Sequence, residues 1–176
     1  MSTEAVHHPL VQLARAAIEA CVRDQCAISP QQAPQPIEGE PAGVFVTLHT
    51  ASTGELRGCI GTIGPAEPVL AQEVINNAIA SATRDWRFWP VSPDELDDLE
   101  IDVSVLYPPE SIDSPDQLDP KHYGVIVQRG GRRGLLLPDI EGVNDVETQI
   151  DIARQKAGIG PHEAVKLARF RVEKYT

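Results

Sequence analysis

From Leu99 to Tyr107 the chain alternates without a break. Leu99, Ile101, Val103, Val105 and Tyr107 fall on one face of an extended backbone, and Glu100, Asp102 and Ser104 on the other. A period of two sustained over this length is incompatible with a helix. It predicts a half-exposed strand of the kind antiparallel sheets use when one face meets a core and the other meets water. Val44–Thr50 repeats the pattern, with Val44, Val46 and Leu48 opposed to Phe45, Thr47 and His49. The turn signal Ser52-Thr53-Gly54 then sends the chain back into a second extended run, so the two segments form a predicted hairpin.

That second run, Leu56-Arg57-Gly58-Cys59-Ile60-Gly61, sets a cysteine between two glycines. Glycine weakens a strand interior and marks a bulge or a close backbone approach, so geometry has been favoured over side-chain packing here. In a regular strand Arg57 and Cys59 share a face, and a guanidinium beside a thiol favours the thiolate. Cys59 also fits a small buried packing position, and Gly58 and Gly61 also fit a tight crossing under a helix. If the register sets Thr47 opposite Cys59, His49 stands opposite Arg57.

Helices are expected on either side. Pro9–Gln25 carries Val11, Ala14, Ile18, Cys21 and Val22 on one stripe, which places Cys21 in the core. The segment Ser29–Pro41 holds four prolines and reads as an irregular connector. Pro68 suits the first turn of a helix running to about Thr83. Ser92-Pro93-Asp94-Glu95 and Ser114-Pro115-Asp116-Gln117 have capping-box chemistry. Tyr123–Gln128 and Gly134–Leu137 flank a basic tip, Arg129-Gly130-Gly131-Arg132-Arg133, read as a solvated turn. A helix starts at Asn144–Glu147 and stops at Lys156–Gly158, and Leu167–Tyr175 is a closing strand. The chain is thus expected to be one α+β domain over residues 1–176. Its parts are an N-terminal helix (8–26), a proline-rich connector (29–42) and a main body (43–176).

Composition removes several functional classes. A net charge of −11 opposes binding to nucleic acid or an anionic membrane. No run approaches membrane-spanning length, and Met1–Pro9 has no basic region, so no signal peptide is expected and the default setting is cytoplasmic. Cys21, Cys26 and Cys59 have neither the number nor the spacing of a disulfide framework or a zinc site, and no metal or cofactor is expected. Aromatic residues make up only 5% of the chain, yet Arg84-Asp85-Trp86-Arg87-Phe88-Trp89-Pro90 gathers both tryptophans and a phenylalanine among three charges.

Taken together, these motifs resemble the AMMECR-one family, whose signature is the LRGCIG run at Leu56–Gly61. The family's RDxRFxPV pattern is matched by Arg84–Val91, with Trp86 and Trp89 at variable positions that need carry no function. Gly134–Gly142 and Ile152–Ile159 resemble its bacterial branch, the AmmeMemoRadiSam system protein A. The resemblance implies an antiparallel sheet with packed helices and a smaller lobe. It also implies partnership with a Memo-like or radical-SAM-like protein, and a site around the LRGCIG motif.

Two functional readings follow. In an enzyme, Cys59 would be the nucleophile, Arg57 would stabilise its thiolate, Asp85 and Arg87 would hold substrate, and His49 would be the nearest candidate base. In a binding or scaffold module, Arg57, Gly58, Gly61, Asp85 and Arg87 would recognise a partner protein or a small anionic ligand. Asp85 and Arg87 equally suit an internal ion-pair brace.

Overall fold

The computed structural model describes residues 7–176; Met1–Val6, part of the segment from which no signal peptide is expected, lie outside the described residues. The fold is α+β, with antiparallel strand pairing in both of its sheets. The chain divides into two compact units. One runs to Leu106 and takes back Lys174–Thr176; the smaller comprises Tyr107–Glu173.

In the first unit, helix α1 (Pro9–Asp24) begins with proline at its first position, and the His8 ring nitrogen Nδ1 accepts the N–H of Leu10 at 3.3 Å. Its apolar stripe is buried through Ile18, but Cys21 is only half-buried, so the thiol lies at the rim of the core. Strands β1 (Gly43–Thr50) and β2 (Leu56–Gly61) form the expected hairpin. Helix α2 (Leu70–Thr83) starts two residues after Pro68, not at it. The reason is Glu73: this buried carboxylate reaches back to accept the N–H groups of Ala66 and Glu67, each at 2.8 Å, and the hydroxyl of Thr62 at 2.5 Å. Those bonds hold the approach to the helix as a loop.

The sheet order is β2-β1-β3-β8, where β3 is Leu99–Leu106 and β8 is Val172–Tyr175. Val44, Val46, Leu48, Ile101 and Val103 meet α1 and α2 in one core. The half-exposed reading of β3 is corrected on its polar face, where Asp102 and Ser104 are each only 6% exposed. β3 is an interior strand, so neighbours flank that face on both sides. Asp102 is satisfied by the Lys174 ammonium at 3.0 Å, with the His49 ring at 3.8 Å.

The second unit carries a sheet of order β4-β7-β5-β6: Glu110–Ile112, Lys166–Phe170, Gly124–Arg129 and Arg132–Leu136. Helix α3 (Val146–Ala157) packs on it, capped by Asp145, whose carboxylate accepts the Thr148 N–H at 2.8 Å, and ended by Gly158 in the left-handed region at φ 64°. The basic tip is shorter and less free than expected. Pairing continues to Arg129 opposite Arg132, leaving Gly130-Gly131 as the turn, and both arginines share Glu163 at 3.1 and 2.8 Å. The single closing strand is in fact two, β7 and β8, interrupted at Arg171 and assigned to different sheets.

Candidate functional site

The β1–β2 register sets Thr47 opposite Cys59, so the Cys59 side chain lies on the sheet face away from the helices. Beyond it the ladder slips: Leu48 pairs with Gly58 but His49 pairs with Leu56. Arg57 is the extra residue of a bulge, and His49 does not oppose it. Bulges re-aim side chains, and here the guanidinium is delivered to Glu95. Its Nε and Nη2 donate to the two carboxylate oxygens at 2.7 and 3.0 Å, and Nη2 also donates to the Trp89 carbonyl at 3.0 Å.

Both motif glycines are explained by close approach. A methyl on Gly58 would collide with the Ser81 carbonyl of α2, and one on Gly61 would enter the Phe45 ring. Ser81 ties the same contact from its side chain: Oγ accepts the Ile60 N–H at 2.9 Å and donates to the Val46 carbonyl at 2.7 Å.

β2 is an edge strand, and Cys59 points its main-chain groups outward from it. The Asp85 carboxylate accepts the Cys59 N–H at 2.9 Å, while Arg87 reaches the Cys59 carbonyl at 3.5 Å. Arg87 also donates to Asp85 through Nη2 at 2.7 Å and Nε at 3.0 Å. One ion pair therefore stands where a neighbouring strand would donate and accept. Asp85 is 4% exposed, and its bonds with Arg87 hold its pKa down to about 2. Arg57 does the same for Glu95, also to about 2.

The Phe88 ring lies within reach of both guanidinium groups, 5.9 Å from that of Arg57 and 5.4 Å from that of Arg87. Its two tryptophan neighbours are not packed at all. Trp86 is 90% exposed and Trp89 89%.

The thiol has a narrower setting. Cys59 is half-buried, and its Sγ lies 3.4 Å from the Thr47 hydroxyl. His49, the candidate base, is directed to Asp102. Among the described residues no three His, Cys, Asp or Glu side chains are grouped to hold a metal ion. The structure thus brings Cys59, Asp85 and Arg87 together, and sets Arg57 beside them in a separate pair with Glu95. Sequence reasoning missed Glu95, Phe88 and Ser81 as members of the cluster. The capping box at Ser92–Glu95 and the aromatic density of 84–90 were the available signals.

An α+β chain with a helix-covered hairpin ending in this capped LRGCIG edge defines a class, and comparison names it. The chain belongs to the AMMECR1 family, whose profile matches residues 11–175. A Thermotoga maritima protein is 54% identical over 170 residues, covering 96% of this chain and 97% of its own length. Protein CA_C1420 of Clostridium acetobutylicum is 44% identical over 95% of this chain, which spans 36% of that longer relative. The crystal structure of the uncharacterized protein PH0010 from Pyrococcus horikoshii superposes with a TM-score of 0.85 at 38% identity, covering 94% of this chain and 88% of that one. No described helix is long and apolar enough to cross a membrane.

Proposed function

We propose that this chain is a recognition module, and that the β2 edge with the Arg84–Pro90 turn is the face that receives a partner protein. The observation that carries this reading is the internal pairing of the cluster: Asp85 is bound to Arg87 and to Cys59, and Glu95 to Arg57. Charges spent on each other make a rigid scaffold, and rigidity lowers the ordering cost of binding. A thiol nucleophile is activated by an adjacent base or by a free cation that lowers its pKa; here the Cys59 sulfur meets the Thr47 hydroxyl, and the Arg57 and Arg87 guanidinium groups are engaged by Glu95 and Asp85.

The partners favoured by the family resemblance are a Memo-like and a radical-SAM-like protein. Titration calorimetry of the purified chain against each tests the reading. Binding that survives Cys59→Ser and weakens in Arg57→Ala supports it; absence of binding to both proteins sinks it. A Cys59-dependent enzyme is the second reading, favoured by the half-exposed thiol of a residue whose main-chain carbonyl accepts from Arg87. Loss of a measurable turnover in Cys59→Ser, with binding unaltered, would select that reading instead.

A further inference from the structure

Resting on the recognition reading, we propose that Trp86 and Trp89 are the anchors of this face. They receive a partner protein that presents an apolar segment bordered by carboxylates.

The exposure of these indoles is built into the fold. The turn that carries them is pinned from several directions: Phe88 N–H donates to the Asp85 carbonyl at 3.0 Å, Val91 N–H to the Ala82 carbonyl at 2.8 Å, and Arg57 to the Trp89 carbonyl at 3.0 Å. A braced turn that holds two large apolar rings in water has little backbone freedom left to lose when they are covered. It is a preorganised contact. Two tryptophans bring on the order of 150–250 Å² each. That is about half of the roughly 800 Å² a standard interface takes from one partner. Leu56, also exposed, lies next in sequence to the Arg57 that holds the turn, and extends the apolar ground. Tryptophan and arginine are the residue types in which binding energy concentrates.

Charge selects the partner. Within the turn Asp85 is consumed by Arg87, and outside it Glu95 by Arg57. Arg84 is exposed and makes no side-chain hydrogen bond or ion pair among the described residues. Among the charges of the Arg84–Pro90 turn it is the one not engaged by another, and a carboxylate answers it. Stacked nucleic-acid bases or an anionic bilayer would also cover tryptophan, but each sets a dense, extended array of negative charge against a chain of net charge −11, whereas one or two carboxylates are met locally by Arg84.

Both tryptophans of the chain lie in this turn, so tryptophan emission, excited selectively over the three tyrosines, reports on the site. The probe is a short acetylated peptide with leucines between glutamates, and its control has lysines for glutamates. The expected result is a saturable blue shift with the glutamate peptide and little with the control. By calorimetry, Trp86→Ala and Trp89→Ala should each weaken binding about thirtyfold. Arg84→Glu should reverse the preference between the peptides. Circular dichroism of the alanine variants should match the parent, because side chains this exposed contribute little packing. The proposal is overturned if the glutamate peptide fails to bind, binds the double alanine variant equally well, or is matched by the lysine peptide. A shift produced instead by phosphatidylcholine vesicles, by oligothymidylate, or by concentrating the chain alone would also overturn it. The Memo-like and radical-SAM-like proteins separate this inference from the reading beneath it. Equal binding of such a partner to the double alanine variant removes the anchors and keeps the module. Failure of both partners, with the glutamate peptide still bound, removes those partners and keeps the anchors.

Discussion

Asp85 accepts the outward N–H of Cys59 at 2.9 Å, and through that bond a residue of the turn after α2 completes the edge of a sheet. Unpaired edge groups are a template for association with another chain, and native proteins cover or charge them. Here the cover is an aspartate and an arginine two residues apart. Asp85→Ala removes it, leaving the Cys59 N–H without its acceptor and releasing Arg87 toward water. Hydrogen bonds to a charged group contribute about 1.5–3 kcal/mol each, so the loss should be about 2–3 kcal/mol, Arg87 regaining hydration in part. Urea unfolding measures the loss. Sedimentation velocity should show self-association of the variant that grows with concentration, and a strictly monodisperse variant would refute the edge-cap account.

The two depressed carboxylates set a pH dependence with a definite sign. Asp85 and Glu95 titrate near 2 in the folded chain, against about 4 in an unfolded one. The unfolded state therefore takes up protons first as pH falls. The stabilisation is fully present above about pH 5 and is lost between about 4 and 2. Unfolding midpoints followed over that range should fall steeply. Glu95→Gln should be less stable at neutral pH and show a shallower fall; an unchanged slope would remove Glu95 as a contributor.

The alternation of β1 and β3 and the Thr47–Cys59 register were legible because period-two patterning and a short turn fix which residues face a core. What failed was decided by tertiary context. Nothing local in Leu56–Gly61 says that Arg57 will be the bulged residue, because the bulge is settled by Glu95, thirty-eight residues on. The burial of Asp102 follows from β3 being interior to the sheet, which the alternation of a single strand does not reveal. Glu95 was visible as a capping-box acid, and its Ser92 N–H bond at 2.8 Å is present, but its second role needs the folded hairpin. The exposure of Trp86 and Trp89 was the least legible of all. Large apolar side chains are ordinarily buried, and only a pinned turn holds them out.

Close approach at Gly58 and Gly61 makes two substitutions informative. Gly58→Ala pushes a methyl into the backbone of α2, which has no rotamer to yield, whereas Gly61→Ala meets the side chain of Phe45. Overpacking of this kind costs about 1–3 kcal/mol. The Gly61 penalty should be relieved by pairing it with Phe45→Leu, and the Gly58 penalty should have no such single-residue rescue. Thermal melts of the two single variants and the double variant test this; equal penalties that ignore Phe45 would contradict the assignment.

The thiols should rank by their surroundings. Cys26 is exposed, while Cys59 is half-buried with its sulfur 3.4 Å from the Thr47 hydroxyl. Alkylation requires access as well as thiolate, so iodoacetamide followed by peptide mass mapping should label Cys26 first and Cys59 more slowly. Thr47→Val deletes the hydroxyl while keeping the shape, and should change the Cys59 rate without altering that of Cys26. If Cys59 is labelled ahead of Cys26 near neutral pH, its reactivity exceeds what access allows. The pairing of Arg87 with Asp85 would then have to be read as support for an attacking thiolate, and the recognition module would yield to the enzyme.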